Sequence, residues 1–145
     1  MTPKFTTPCF IRKNTPELRK KLEELGYKHA QNVWEDKHIN KCRLLWTEYY
    51  GSYWHHYIEA CPKKFFDTHI DCGGNEQLFL ALAALRKDSD KFQWFCDNEE
   101  GEYKSLFFCK YDDVEEHIHN EMDGWDCEGF HKATPDELIE HFKEK

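Results

Sequence analysis

The chain has 145 residues, of which 39% are hydrophobic and 16% aromatic, so it is large and apolar enough to bury one core. Its net charge of −8 at pH 7 excludes attraction of nucleic acid by the overall field of the protein, and it favours another protein as partner. The sequence has no run of about 18 apolar residues, and its first residues lack the apolar region of a signal peptide. We therefore expect a single domain over residues 1–145 that lies in the cytoplasm and makes no membrane contact.

The first predicted helix lies in the stretch NTPELRKKLEELGY. Thr15 is a good N-cap residue, Pro16 suits the first helical position, and Gly26 is a typical helix stop. The apolar residues of this segment fall on one stripe of the helix: Leu18, Leu22 and Leu25. This pattern predicts an amphipathic helix that packs on a core through one side.

The clearest hairpin is CRLLWTEYYGSYWHHYIEA, residues 42–60. Gly51 and Ser52 fit a two-residue type II′ turn, and that register pairs Trp46 with Tyr57. One face of the hairpin then mixes aromatic with charged or titratable side chains, and such aromatic residues are favoured at binding sites. We therefore predict that this face binds a partner through the following residues: Trp46, Glu48, Tyr50, Tyr53, His55 and Tyr57.

The same hairpin has a second interpretation, in which both of its faces are covered by helices and by a loop or a partner subunit. This interpretation follows because an exposed aromatic patch of such size is uncommon in monomers. The two interpretations differ in whether Trp46 and Tyr57 reach solvent in the free monomer.

The stretch IDCGGNEQLFLALAALRKD, residues 70–88, indicates a strand, a glycine turn and a helix. The helix is apolar on every side from Leu78 to Leu85, which is typical of a helix that is buried all round. Gly73 and Gly74 permit a tight turn with positive φ, and no dinucleotide or P-loop pattern follows them. A cysteine near a helix start can act as a nucleophile, but Cys72 ends a strand and we interpret it as a packing residue.

The C-terminal half is predicted to contain a hairpin, a short helix, a strand and a last helix. Residues 91–111 form two aromatic strands around a glycine loop, and residues 113–122 have the apolar spacing of a helix. Residues 124–133 are expected to be extended. Thr134 and Glu137 form the capping box of the last helix.

The cysteines are seven in number, and no export signal accompanies them, so we expect reduced thiols and not a disulfide framework. The nearest approach to metal-ligand spacing is His117-x-His119 followed by Cys127-x3-His131. No CxxC pair occurs, and residues two apart on a helix point in different directions. We therefore predict no metal and no other cofactor, with a metal site near these residues as the alternative.

No GxSxG or HExxH motif marks an enzyme of a known class. Cysteine, histidine and acidic residues are so frequent that some catalytic trio can always be chosen, which makes such a choice uninformative without geometry. The leading hypothesis is a non-catalytic binding or interaction module. The alternative is a small thiol- or histidine-dependent hydrolase, or a metal-binding protein.

Three stretches carry a resemblance to a known group of proteins: IDCGGNEQLFLALAALRKDSDKFQWF, KATPDELIEHF and CFIRKNTPELRKKLEELGY. They are similar to small uncharacterised proteins of Bacteroides-type gut bacteria and their phages or mobile elements. The resemblance implies a cytosolic, phage-related accessory protein, and it assigns no catalytic residue. The hairpin of residues 42–60 lies outside these stretches.

Together these elements predict an α+β fold. We expect a single domain in which a mainly antiparallel sheet packs on a buried central helix near residues 77–86, with two or three further helices beside it.

Overall fold

The structure is a computed structural model that describes residues 5–29, 41–49, 51–97, 106–121 and 129–143. Within these ranges the chain forms five α-helices and two β-sheets, so the mixed α+β class is confirmed. None of the described helices is long and apolar enough to cross a membrane.

The elements follow one another in this order: β1 Cys9–Ile11, α1 Pro16–Leu25, β2 Lys28–His29, β3 Leu44–Thr47, β4 Ser52–His56, α2 Lys63–Thr68, β5 Ile70–Asp71, α3 Glu76–Ala83, β6 Trp94–Asp97, β7 Leu106–Phe108, α4 Val114–Glu121, β8 Phe130–Lys132 and α5 Pro135–His141. A short 3₁₀ turn, Ile58–Ala60, connects β4 to α2.

The first sheet has the strand order β2-β4-β3-β1-β5 and is mixed. Strands β1, β3 and β4 pair in the antiparallel sense, whereas β1 pairs with β5, and β2 with β4, in parallel. The prediction of a mainly antiparallel sheet is therefore not confirmed for this sheet. The strands of each parallel pair are separated along the chain by other elements, which allows them to run in the same direction. A hairpin, by contrast, joins only antiparallel strands.

The second sheet is antiparallel, with the order β7-β6-β8. The predicted aromatic hairpin forms β6 and β7, in which Trp94 pairs with Phe108. The predicted last strand is β8, which pairs with the other edge of β6 and places His131 opposite Cys96. Strand β6 therefore lies between two partners that are separated along the chain.

The predicted helix boundaries agree with the structure because they depend on local chemistry. Thr15 Oγ1 accepts a hydrogen bond from the N–H of Leu18 at 3.1 Å, and Gly26, with φ of 120°, ends α1. Thr134 Oγ1 accepts from the N–H of Glu137 at 3.2 Å, and Glu137 Oε1 accepts from the N–H of Thr134 at 3.0 Å. The capping box predicted for α5 is therefore confirmed.

Helix α3 is not buried on every side, so the prediction of a fully enclosed central helix is not confirmed. Phe79 and Leu82 are fully buried, and the helix packs against β1, α1 and α5. Gln77 is exposed, however, and Leu80 is half-buried. An all-apolar sequence cannot distinguish a side that meets protein from a side that lines a cavity.

Among the described residues, two clusters of buried side chains stabilise the fold. The larger lies between the inner face of the first sheet, helices α1, α3 and α5, and the second sheet. The smaller lies on the outer face of the first sheet beneath α2, and it consists of Phe10, Leu44 and Phe65, with Trp46, Ile58, Cys61 and Phe66 at its edge. The first sheet is therefore covered on both faces.

The turn between β5 and α3 is formed by backbone conformation. Gly73 has φ of 58°, its N–H donates to Asp71 Oδ1 at 2.8 Å, and its carbonyl accepts from the N–H of Arg12 at 2.7 Å. Asn75 then caps α3 by accepting from the N–H of Leu78 at 3.1 Å. The N–H of Gly73, which is the group that an anion would use, is therefore already bonded within the protein.

We expect Gly73→Ala to lower the free energy of unfolding by roughly 1–2 kcal/mol, because only glycine adopts this left-handed conformation without strain. Gly74→Ala is the matched control, since a Cβ at either glycine meets nothing within 4 Å and only Gly73 has a positive φ. Urea denaturation of both variants measures the difference. Equal losses in the two variants would show that φ at Gly73 is not what the turn requires.

Candidate functional site

The hairpin of β3 and β4 is confirmed, but its predicted register is wrong. Trp46 pairs with Trp54 and not with Tyr57, a shift of three residues along β4. Because side chains alternate between the faces of a strand, a shift by an odd number exchanges the faces of one strand relative to the other. The residues predicted to form one binding face are therefore divided between two faces.

The turn explains the shift. The N–H of Gly51 donates to the carbonyl of Glu48 at 3.4 Å, and the N–H of Glu48 donates to the carbonyl of Ser52 at 3.0 Å. Gly51 has φ of 80°. These bonds place Ser52 opposite Glu48 and put Gly51 at the end of the loop, and not at the first position of the predicted two-residue turn.

Tyr53 and His55 lie on the inner face of the sheet, where they are 3% and 1% exposed, so the prediction that they share a face with Trp46 is wrong. The hydroxyl of Tyr53 donates to Glu23 Oε2 at 2.9 Å, and burial together with this bond raises the pKa of Tyr53. His55 Nδ1 lies 3.6 Å from Cys42 Sγ, and the ring stacks on His29 with centroids 5.1 Å apart. Neither side chain is placed to meet a partner.

Trp46 lies on the outer face and is half-buried. Its ring stacks on Trp54 with centroids 5.4 Å apart, and it makes a T-shaped contact with Phe65 from α2, with centroids 5.0 Å apart. Helix α2 thus covers part of this face, as the second interpretation of the hairpin expects, while Trp46 keeps the partial exposure that the first interpretation requires. Among the described residues, the large hydrophobic side chain that stays in solvent is Tyr49, which is 56% exposed.

The remaining residues of the predicted binding face are Glu48, Tyr50 and Tyr57. Glu48 and Tyr57 are half-buried, and Tyr50 lies outside the described residues. A binding role for any of the six residues stays a prediction, because these contacts show packing and do not show recognition of a partner.

Cys72 is buried at the start of the turn before α3. A hydrogen bond with the thiol of Cys9, together with burial, raises the pKa of the Cys72 thiol. A neutral thiol within a core is a poor nucleophile. The structure therefore supports the packing interpretation of Cys72.

The histidines considered as joint metal ligands are not brought together. His117 is buried on α4 and stacks on Phe107 with centroids 5.1 Å apart, whereas His119 is exposed on the same helix. The helix separates the two imidazoles as expected. Cys127 lies outside the described residues.

The second sheet and α5 instead bring together Cys96, His131 and Glu137. One potential ligand atom from each residue lies within 4.8 Å of the others. Cys96 and His131 are opposite each other on β6 and β8, and His131 Nε2 lies 2.9 and 3.0 Å from the two oxygens of Glu137. From the sequence, His131 is a candidate metal ligand and Glu137 part of a capping box, and neither is connected with Cys96, because the connection needs the pairing of β6 with β8.

A cavity of about 420 Å³ opens between α1, α3 and the second sheet. No motif in the sequence indicated it. Most of its wall is apolar, with these lining residues: Leu25, Leu80, Ala81, Ala84, Phe92, Trp94, Phe108 and Phe142. Its polar lining residues are exposed: Lys21, Glu24 and Gln77. The side of α3 that is not enclosed by protein forms part of this wall.

Phe92 in this wall has a strained backbone, with φ of 68°. Its N–H donates to the carbonyl of Cys109 at 2.8 Å, and the N–H of Cys109 donates to the carbonyl of Gln93 at 2.8 Å. The left-handed conformation costs a bulky residue about 1–2 kcal/mol. Such strain persists where the surroundings enforce it, and it is concentrated at ligand sites.

No family model, curated protein or solved structure matches the chain. The resemblance to proteins of gut bacteria and their phages therefore stays a prediction.

Proposed function

We propose that the chain is a non-catalytic binding protein that takes up a small, mainly apolar molecule in the cavity between α1, α3 and the second sheet. The observation that carries this proposal is an open cavity of about 420 Å³ with an apolar wall. Small-molecule sites in proteins typically measure about 300–1,000 Å³ and are lined in the same way, with few polar groups.

The aromatic part of the wall favours a flat ring system. The ring of Trp94 lies 5.4 Å from Phe108 and 5.3 Å from Phe142, and it meets Phe142 edge-on at 85°. Faces and edges at such spacings offer both stacking and edge contacts to a third ring. The positive φ of Phe92 in the same wall supports a binding role, because backbone strain of this kind is concentrated at ligand sites.

The polar lining residues favour a neutral ligand with one polar end. Lys21 and Glu24 lie three residues apart on α1, so their opposite charges are adjacent on the helix surface and offset each other. Gln77 on α3 adds an uncharged donor and acceptor. The described lining contains no other charged side chain, and a charged ligand would lose its hydration without gaining a partner in the apolar wall.

The lining also favours binding over catalysis. Among the described residues that line the cavity there is no cysteine, histidine, serine or threonine. The titratable groups, Lys21 and Glu24, are exposed. A nucleophile or general base would need a position inside the site and an environment that tunes its pKa.

Filling the cavity tests the proposal. We expect the unaltered protein to bind a neutral aromatic fluorophore, N-phenyl-1-naphthylamine, saturably and with one site. Leu80→Trp places a large ring in the wall and should weaken this binding at least about tenfold, equivalent to 1.4 kcal/mol.

Ile139→Trp is the matched control, since Ile139 is also a half-buried aliphatic residue on a helix but does not line the cavity. Its binding should equal that of the unaltered protein. Absence of saturable binding in the unaltered protein, or equal affinity in both tryptophan variants, would refute the proposal.

A second candidate function is binding of another protein by the β3–β4 hairpin. Tyr49 is the observation that favours it, because this residue lies in the β3–β4 loop and is 56% exposed. The burial of Tyr53 and His55 makes this candidate the weaker one. The resemblance noted in the sequence adds a cytoplasmic, phage- or mobile-element-related setting to both candidates.

A further inference from the structure

We propose that Cys96, His131 and Glu137 bind one zinc ion, with a fourth coordination position open to water. This site is separate from the cavity, and it departs from the sequence-based expectation of no metal. It depends on the geometry of the second sheet and α5 and not on the proposed binding function.

Regular structure fixes the position of each ligand. Cys96 on β6 and His131 on β8 are directly opposite in antiparallel strands, so their side chains share one face of the sheet. Helix α5 packs near this face through Leu138, which belongs to the same core cluster as Cys96. Glu137 precedes Leu138 and is oriented by the capping box with Thr134.

The distances are close to those that zinc requires. Metal–ligand bonds of about 2.0–2.3 Å at tetrahedral angles place the ligand atoms roughly 3.2–3.8 Å apart. His131 Nε2 now lies 2.9 and 3.0 Å from the oxygens of Glu137, and the three ligand atoms all lie within 4.8 Å of one another. Movements of about one ångström at side-chain ends would complete the coordination.

The ligand set selects the metal. A thiolate and an imidazole favour zinc over magnesium and calcium, which prefer oxygen ligands. One thiolate and one carboxylate balance the two charges of Zn²⁺, so the occupied site is electrically neutral. On binding, the Cys96 thiol releases a proton to solvent, and an unprotonated ring nitrogen of His131 donates its lone pair to the metal.

Thiol catalysis is a poorer account of the same residues. Cys96 is 0% exposed, and a nucleophilic cysteine must reach its substrate. The His131 side chain is 37% exposed, so solvent reaches the cluster from the histidine side. A metal ion that is bound by the buried Cys96 on one side and by a water molecule on the exposed side fits this arrangement.

An ion pair between His131 and Glu137 that fixes α5 to β8 is the simpler alternative. It accounts for the short N–O distances without a metal, and Cys96 is then a core side chain. Co²⁺ distinguishes the two accounts, because its absorption spectrum shows whether a thiolate is one of its ligands.

Titration of protein without a histidine tag tests the proposal, with Co²⁺ as the spectroscopic substitute and Zn²⁺ as competitor. We expect one equivalent of Co²⁺ to produce tetrahedral absorption bands and a thiolate-to-metal charge-transfer band, both removed by Zn²⁺. Cys96→Ser should abolish the charge-transfer band. Glu137→Gln should weaken zinc binding at least about tenfold, the lower end of the loss seen when even a supporting residue of a metal site is removed.

Glu137→Gln retains the capping box, since glutamine serves at that position as well, so this variant tests ligation with the helix start preserved. Glu140→Gln on the exposed side of the same helix, and Cys61→Ser, are the matched controls and should leave zinc affinity unchanged. If Cys96→Ser does not fold, the charge-transfer band of the unaltered protein still reports on the thiolate. Absence of that band, or unchanged zinc affinity in Glu137→Gln, would overturn the proposal and leave the ion pair.

Discussion

Leu82→Ala is expected to lower the free energy of unfolding by about 2–5 kcal/mol. Leu82 is fully buried in α3, which packs against β1, α1 and α5, so the substitution leaves a space that several elements would have to close together. The loss combines the transfer free energy of the removed methyl groups with the free energy of the remaining cavity. Urea denaturation followed by circular dichroism measures it.

Gln77→Ala on the exposed side of α3 is the matched control and should change stability by no more than about 0.5 kcal/mol. A loss below about 1 kcal/mol for Leu82→Ala would contradict the central position of this side chain, because fully buried leucines do not show such small values.

Gln93→Leu is expected to be the second strongly destabilising substitution. The buried side-chain amide of Gln93 donates from Nε2 to the carbonyl of Ala84, and its Oε1 accepts from the N–H of Arg86 at 3.4 Å. Leucine fills a similar volume, but it leaves the carbonyl of Ala84 and the N–H of Arg86 without the hydrogen bonds that the Gln93 amide makes to them. Each buried group left unsatisfied costs roughly 1–3 kcal/mol.

Thermal or urea unfolding of Gln93→Leu measures this loss, and Gln77→Leu at an exposed position is the control. We expect the control to stay within about 0.5 kcal/mol of the unaltered protein. A similarly small change for Gln93→Leu would show that the amide does not stabilise the chain segment after α3.

The parts of the fold that depend on local chemistry could be predicted from the sequence. Thr15 and Thr134 cap their helices because a side-chain oxygen lies within reach of N–H groups only a few residues away. Gly73 forms the predicted turn because the turn needs a positive φ, which glycine adopts without a steric clash.

The register of the first hairpin could not be fixed in this way. Gly51 suits the first position of a two-residue turn, and it equally suits the last position of a longer loop, which is the position observed. Choosing between these turns requires the contacts of the strands with α2 and with the core. The error placed Tyr53 and His55 on the wrong side of the sheet.

The candidate sites are non-local, and this explains why the sequence did not indicate them. Cys96 meets His131 only because β8 pairs with β6 beside β7. The cavity depends on how closely α1, α3 and the second sheet approach one another. The one usable signal was the excess of apolar residues on α3, where Leu80 lies on a side that protein does not enclose.

Methyl NMR of protein labelled at its leucine and alanine methyl groups, titrated with neutral aromatic fragments, tests the binding proposal most directly. We expect saturable shifts of the Leu80, Ala81 and Ala84 methyl signals, together with nuclear Overhauser effects from the same methyl groups to the fragment. The methyl signals of Leu44, buried beneath α2 on the outer face of the first sheet, should not change. No saturable shift at the three cavity residues, or shifts of equal size at Leu44, would contradict a ligand site in this cavity.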